Sequence, residues 1–222
     1  EVHEMSMYRQ AEVLYQRQDF NTAIARFEAA LKAYPKSAQV DKARYMLGRC
    51  YWYQAAIQSQ ALQAPNLPAK EGEALRKTYK QLLDKAKQPF EILEKSLLDR
   101  ETNMTLTEGE KPFLRQTSFA RAECYFFGQE YEDAIRLYQQ LRIRYEKQLE
   151  ELVAISQLWQ CYRYMNQMDK ANRMTETFRE ALKVMPEDRF DKSTQVHSRK
   201  YWEDWLKSVT PQPAANAEQS KQ

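Results

Sequence analysis

One spacing recurs along this chain and limits its fold more than any other feature. Cys124 and Cys161 lie 37 residues apart, Ala134 and Ala171 lie the same distance apart, and so do Ala11 and Gly48. Self-similarity at such a period marks stacked helical units, none of which can bury its apolar face alone. Aligned on this step, Ala11, Gly48, Ala122 and Trp159 share one position, and Leu14, Tyr51, Tyr125 and Tyr162 share the position three residues later. Phe20, Tyr131 and Met168 then lead into a second segment. Its apolar side begins at Ala23, Ala134 and Ala171 and continues at Phe27 and Tyr138. Steps of three and four are those of a helix face, so each unit reads as a helical hairpin with a small residue where its two helices cross closely. Asp19 or Asn21, Asp133 and Asp169 are expected to cap the second helices. Pro35 and Pro186 are expected to end helices by removing a donor.

Composition agrees with helix throughout. Only 4 Gly and 8 Pro occur among 222 residues, and Gln, Glu, Lys, Arg, Leu and Ala are strong helix formers. The net charge of +3 balances 34 basic against 31 acidic residues, which neither demands nor excludes an anionic partner. No run of 18 apolar residues could span a bilayer. Three cysteines without CxxC or CxxH spacing argue against zinc and disulfides. Cys50, Cys124 and Cys161 share one repeat position, so burial accounts for all three. His3 and His197 are the only histidines, and there is no phosphate loop, nucleophile motif or recognisable carboxylate pair. No cofactor, metal or catalytic chemistry is expected.

The second unit is broken open. Ala23, Ala134 and Ala171 each follow their helix-A partner by 12 residues, whereas Ala86, which with Phe90 and Leu93 fits the helix-B pattern, follows Gly48 by 38. The 26 extra residues lengthen the hairpin by roughly 20 Å at 1.5 Å per residue. An antiparallel pair, about 38–62 against 69–98, is expected to project, with a kink near Lys85 caused by Pro89. Its distal part, 55–85, reads either as a packing embellishment or as an arm for docking or self-association. A polar linker, 99–111, precedes the third repeat. Trp202, Trp205, Leu206 and Val209 form one stripe on a capping helix, 198–209, and the tail 210–222 reads as disordered.

The copy from Ala11 to Pro35, AEVLYQRQDFNTAIARFEAALKAYP, resembles the tetratricopeptide repeat (TPR) family. Tyr34 to Ser37 with ARYMLGRCY from Ala43 to Tyr51 is similar to bacterial envelope TPR proteins, the lipoprotein of the β-barrel assembly machinery and the C-terminal domain of the Tol–Pal coiled-coil partner. The resemblance covers roughly 4–186. It departs at Gln18, Gln129 and Asn166, where the family has a turn glycine, at Trp159, where a small residue is usual, and at Glu146, in place of a proline. It implies an all-α, right-handed TPR-like solenoid over 1–209, with about four hairpins at 4–37, 38–98, 112–147 and 148–186.

The resemblance also implies that first helices line a concave face. On it fall Tyr8, Tyr15, Tyr45, Arg49, Trp52, Tyr53, Phe119, Phe126, Phe127, Arg163 and Tyr164, with Glu12, Glu123 and Gln160 between them. An aromatic side chain left in water forfeits about 1.5–3 kcal/mol of burial. Such a row is therefore expected to grip a peptide or protein segment, with Arg49 and Arg163 pairing a carboxylate or stacking on rings. The competing expectation is that the rings pack on neighbouring helices or on the long arm. The function expected is a non-enzymatic interaction scaffold, periplasmic or envelope-associated; the alternatives are a cytoplasmic TPR adaptor and an RNA-binding helical repeat. Glu12 and Glu123 interrupt the continuous basic groove that the last would need, and Arg136, Arg142, Arg144 and Lys147 read as a solvated face. The chain opens on Glu1, which leaves room for a leader or lipid anchor ahead of it.

Overall fold

The computed structural model describes residues 2–190 and 198–210; His197 and the expected disordered tail past 210 lie outside the described residues. Among the described residues the regular elements are helices: α1 (Val2–Gln16), α2 (Phe20–Ala33), α3 (Val40–Ala61), α4 (Ala69–Thr102), α5 (Lys111–Phe127), α6 (Tyr131–Arg144), α7 (Leu149–Tyr164), α8 (Met168–Val184), a 3₁₀ turn (Glu187–Arg189) and α9 (Arg199–Val209). They follow the expected α-solenoid of hairpins. The chain divides into two compact units, Glu1–Glu130 and Tyr131–Gln222, so the third expected hairpin gives α5 to one and α6 to the other.

In the N-terminal unit each helix packs on the next, α1 on α2, α2 on α3, α3 on α4 and α4 on α5. The repeat positions form its core: Ala11, Ala23, Phe27, Ala86 and Phe90 are wholly inaccessible. Gly48 marks the closest crossing, because a Cβ there would sit 2.7 Å from the Phe90 ring. The lengthened hairpin is α3 against α4, turned through Asn66 in a left-handed conformation. α4 runs through Pro89 as one α-helix, with the proline ring buried.

α4 also continues to Thr102, so the polar linker starts at Asn103 rather than Asp99. Charge explains the extra turn. Arg100 donates to Glu110 at 2.6 Å and to Asp41, tying the end of α4 to the starts of α3 and α5. Hydrogen bonds from the Thr107 backbone and hydroxyl, with Arg100 beside it, hold the Glu110 carboxyl below its ordinary value.

The turns lacking glycine close as the glycine versions do. Gln18, Gln129 and Asn166 take φ of 61, 62 and 57°. In each turn the next N–H reaches five residues back, Asp19 to Leu14 at 3.0 Å, Glu130 to Tyr125 at 2.9 Å and Gln167 to Tyr162 at 2.8 Å. This satisfies carbonyls that a helix C-terminus otherwise leaves open. Of the expected caps, Asp19 accepts from the Thr22 N–H at 3.2 Å. Asp133 and Asp169 instead lie inside the first turns of α6 and α8, where a negative charge favours the positive end of the helix dipole.

In the C-terminal unit α6 packs on α7, α7 on α8 and α8 on α9. Leu152, Ile155, Phe178, Leu182 and Trp202 share one core. The Ser198 hydroxyl caps α9 by accepting from the Tyr201 N–H at 3.2 Å. Trp205 and Trp202 lie 4.3 and 5.7 Å from the Phe178 ring, centre to centre. Arg199 donates to the carbonyls of Leu182 at 3.1 Å and Met185 at 3.0 Å, closing the C-terminal end of α8. The three thiols are wholly buried, and burial pushes each up to about 12. They stay protonated and unreactive at neutral pH.

Candidate binding surfaces

The expected site residues separate by depth. Tyr8 and Phe126 are buried, which corrects their assignment to a groove. The Tyr8 ring fills the α1–α2 crossing and its hydroxyl donates to the Tyr34 carbonyl at 2.9 Å. Phe126 turns inward while its neighbour Phe127 stays 41% exposed; adjacent residues on a helix point about 100° apart, so one ring is consumed and the next is not. Tyr15, Tyr45, Arg49, Trp52, Tyr53 and Phe119 are half-buried, and Arg163 and Tyr164 are exposed. Tyr45 is partly committed to the interior, with Phe113 5.2 Å and Phe90 5.9 Å away, centre to centre.

Within the N-terminal unit the remaining rings gather along α3. Tyr53 stacks on Phe20 at 4.9 Å and 15°, while Tyr15 stands 6.3 Å from Tyr53. Trp52 meets Tyr53 edge-on at 5.4 Å and Phe127 at 6.0 Å. The Arg49 guanidinium lies 4.7 Å from the Trp52 ring and 4.8 Å from the Tyr53 ring, and donates to the Tyr53 hydroxyl at 3.0 Å. One long cation thus fixes both rings.

Two hollows flank this row and adjoin at Ala56 and Gln60. One, of about 210 Å³, lies between α3 and the arm and is lined by Trp52, Ala55, Tyr79, Leu83 and Phe127 among others. Its wall is braced by the Tyr79 hydroxyl, which donates to the Phe127 carbonyl at 3.0 Å, and by Lys87, which bridges Asp84 and Glu130 at 2.8 and 2.7 Å. The other, of about 450 Å³, is lined by Tyr15, Phe20, Tyr53 and Ile57 among others. Sequence reasoning missed Ile57, which is 47% exposed, along with Phe20 and Tyr79. The four-residue step Arg49, Tyr53, Ile57 carries the same face into the inserted part of α3 and is the signal that finds it.

Charge in this unit is also displaced from its usual state. Burial raises the Glu123 carboxyl above its ordinary 4.5, with Arg49 opposing. The folded chain therefore holds that proton more tightly than the unfolded chain does. The stability linked to Glu123 is full below the unfolded-state value and is lost as pH rises through the folded one. Glu123→Gln is expected to raise the urea midpoint at pH 7 and to leave it nearly unchanged at pH 4. Equal shifts at both pH values would contradict a desolvated carboxyl.

In the C-terminal unit Arg163 and Tyr164 occupy the end of α7. Tyr164 stacks on Tyr131 at 5.6 Å and 2°. Arg163 lies 4.9 Å from the centre of the Trp159 ring. Trp159 is half-buried.

No helix among the described residues is long and apolar enough to cross a membrane. No group of three or more His, Cys, Asp or Glu side chains among them could hold a metal ion. The family described as Outer membrane lipoprotein has a model that matches residues 1–66, and the tetratricopeptide repeat model matches residues 116–147. The first match covers α1 to α3 and the second runs from within α5 through α6; α4 lies in neither. No curated protein matches the chain.

Proposed function

We propose that this tetratricopeptide-repeat protein, whose first repeats are similar to an outer membrane lipoprotein family, is a non-catalytic scaffold of the bacterial envelope. It captures an extended or helical segment of another protein along α3. The observation that carries the reading is the aromatic row with a hollow on either side. Phe20, Tyr53, Trp52 and Phe127 form a chain of ring contacts whose middle two rings meet Arg49, and Phe127 and Ile57 are left partly in water. Rigid aromatics that are ordered before binding lose little entropy on capture and commonly supply most of the affinity. The hollows give separate seats for two apolar side chains of one segment.

The arm helps to build the surface. Without the inserted residues, neither Ile57 nor Tyr79 would be present beside Trp52. Envelope residence follows the match over 1–66 and stands or falls with cell fractionation.

Panning a random dodecapeptide library against the whole chain tests the capture reading. Recovered peptides are expected to carry paired aromatic or aliphatic residues. Their affinity for Ile57→Asp, and for the double variant Trp52→Ala with Phe127→Ala, is expected to fall at least tenfold, about 1.4 kcal/mol, with the helical circular dichroism of Ile57→Asp retained. Recovered peptides that bind Ile57→Asp as they bind the unaltered chain would rule this surface out.

A further inference from the structure

The C-terminal unit holds a hollow of different chemistry. It is open, about 470 Å³ in volume, and lined by Trp159, Gln160, Arg163, Tyr164, Trp205 and Ser208 among others. Trp159 meets Trp205 edge-on at 5.8 Å and 76°, so α7 and α9 each contribute an indole. The Arg163 guanidinium carbon stands over Trp159, 4.9 Å from the ring centre. Elsewhere in this unit Arg136, Arg179 and Arg199 bond Asp133, Glu176 and Glu187. Arg163 has no carboxylate partner among the described residues.

A cation–π contact restrains the guanidinium through the ring face while its N–H groups can still meet a planar acceptor. Gln160 precedes Arg163 by one helical turn and so lies on the same side of α7, adding an amide donor. A cation over Trp159, with no carboxylate partner among the described residues and a second indole, Trp205, beside the first, is suited to a ligand that pairs a carboxylate with an adjoining apolar group.

We propose that this hollow binds a carboxylate-bearing segment of a partner protein. The carboxylate sits on the Arg163 fork, and the neighbouring aliphatic or aromatic side chain lies against Trp159 and Trp205. Charge complementarity selects the occupant, since an uncharged peptide leaves the fork without an acceptor that can take two bonds. The site belongs to the C-terminal unit alone and does not rest on the capture surface along α3.

The test is titration of the whole ¹⁵N-labelled chain with an N-acetylated, C-amidated tetrapeptide, Ala-Ala-Glu-Leu, and its Ala-Ala-Gln-Leu counterpart, followed at the tryptophan indole N–H signals. A third probe, Ala-Ala-Ala-Leu with a free carboxyl end, distinguishes a terminal from a side-chain carboxylate. The Trp159 and Trp205 signals are expected to move with at least one carboxylate probe, at an affinity tenfold or more above the Gln peptide. Arg163→Gln is expected to abolish that preference. The interior Trp202 signal should stay in place, which shows that the variant remains folded. Arg163→Lys should recover only part of the preference, because a point charge lacks the fork. Equal binding of all three probes overturns the proposal, as does a preference that survives Arg163→Gln. Binding seen only after removal of residues 211–222 also overturns it, by assigning the hollow to the chain's own tail.

Discussion

Phe90→Ala is expected to destabilise the N-terminal unit by about 3–5 kcal/mol. The ring is fully buried and plugs the crossing of the long hairpin. Its atoms lie 2.7 to 2.9 Å from where a side chain on Gly48 would begin, and Tyr45 meets it edge-on at 5.9 Å. Removing it opens a cavity walled by two helix backbones, which relax little. The converse change should also harm the fold. Gly48→Ala forces a methyl into the ring, an overpacking worth about 1–3 kcal/mol that outweighs alanine's helix preference of about 1 kcal/mol. Because the two positions touch, their effects should not add. Gly48→Ala with Phe90→Leu is expected to fall short of the summed single effects by at least ~0.5 kcal/mol. Two compact units need not unfold together, so the reading should be local. Thiol labelling of Cys50, wholly buried beside this crossing, against urea concentration provides it. A Phe90→Ala effect under about 1 kcal/mol would mean that the ring is not the seal of the hairpin.

The crossing was legible because a repeat supplies its own alignment. The small residue at Gly48 and the apolar set Ala86, Phe90, Leu93 could be matched to each other across 26 inserted residues. The matched positions in the other units have the same spacing in both helices. The turns were legible in position but not in strength: Gln18 and Gln129 adopt a left-handed conformation that glutamine does not favour. The hydrogen-bond pair closing each helix outweighs a cost of about 1–2 kcal/mol. What the period could not resolve was depth. A first helix in a stack has neighbours on several sides, so its buried arc is wider than a single apolar stripe. Tyr8 and Phe126 fall inside that arc and Phe127 outside it. The helix caps failed for a related reason. The repeat fixes where α6 and α8 begin to within a residue or two, and that shift moves Asp133 and Asp169 from cap to first turn. Trp159 ran against the pattern, and its half-buried indole meets Arg163.

The second large effect concerns charge rather than volume. Arg121 of α5 bonds Glu94 of α4, and their side chains are only 17% and 11% exposed. Arg121→Ala is expected to cost about 3–5 kcal/mol, because it strands a carboxylate that is only 11% exposed. Glu94→Ala should cost a comparable amount by stranding the guanidinium, whose Nε already lacks a hydrogen-bond partner. The pair itself is not the source of that loss. Desolvating two ions offsets most of their attraction, so Glu94→Leu with Arg121→Met should return to within about 1 kcal/mol of the starting stability. An exposed pair provides the contrast. Arg179 and Glu176, 42% and 67% exposed, should change stability by under ~1 kcal/mol when either is replaced. Urea unfolding of the four Glu94 and Arg121 combinations checks the cycle, and single changes below ~1 kcal/mol would show that water reaches the pair. The apolar double variant has a further use. The pair fixes α5 against α4, and α5 carries Phe127 to the hollow beside Trp52. If that variant regains stability yet still loses the recovered peptides, the ion pair sets the position of the wall rather than the strength of the fold.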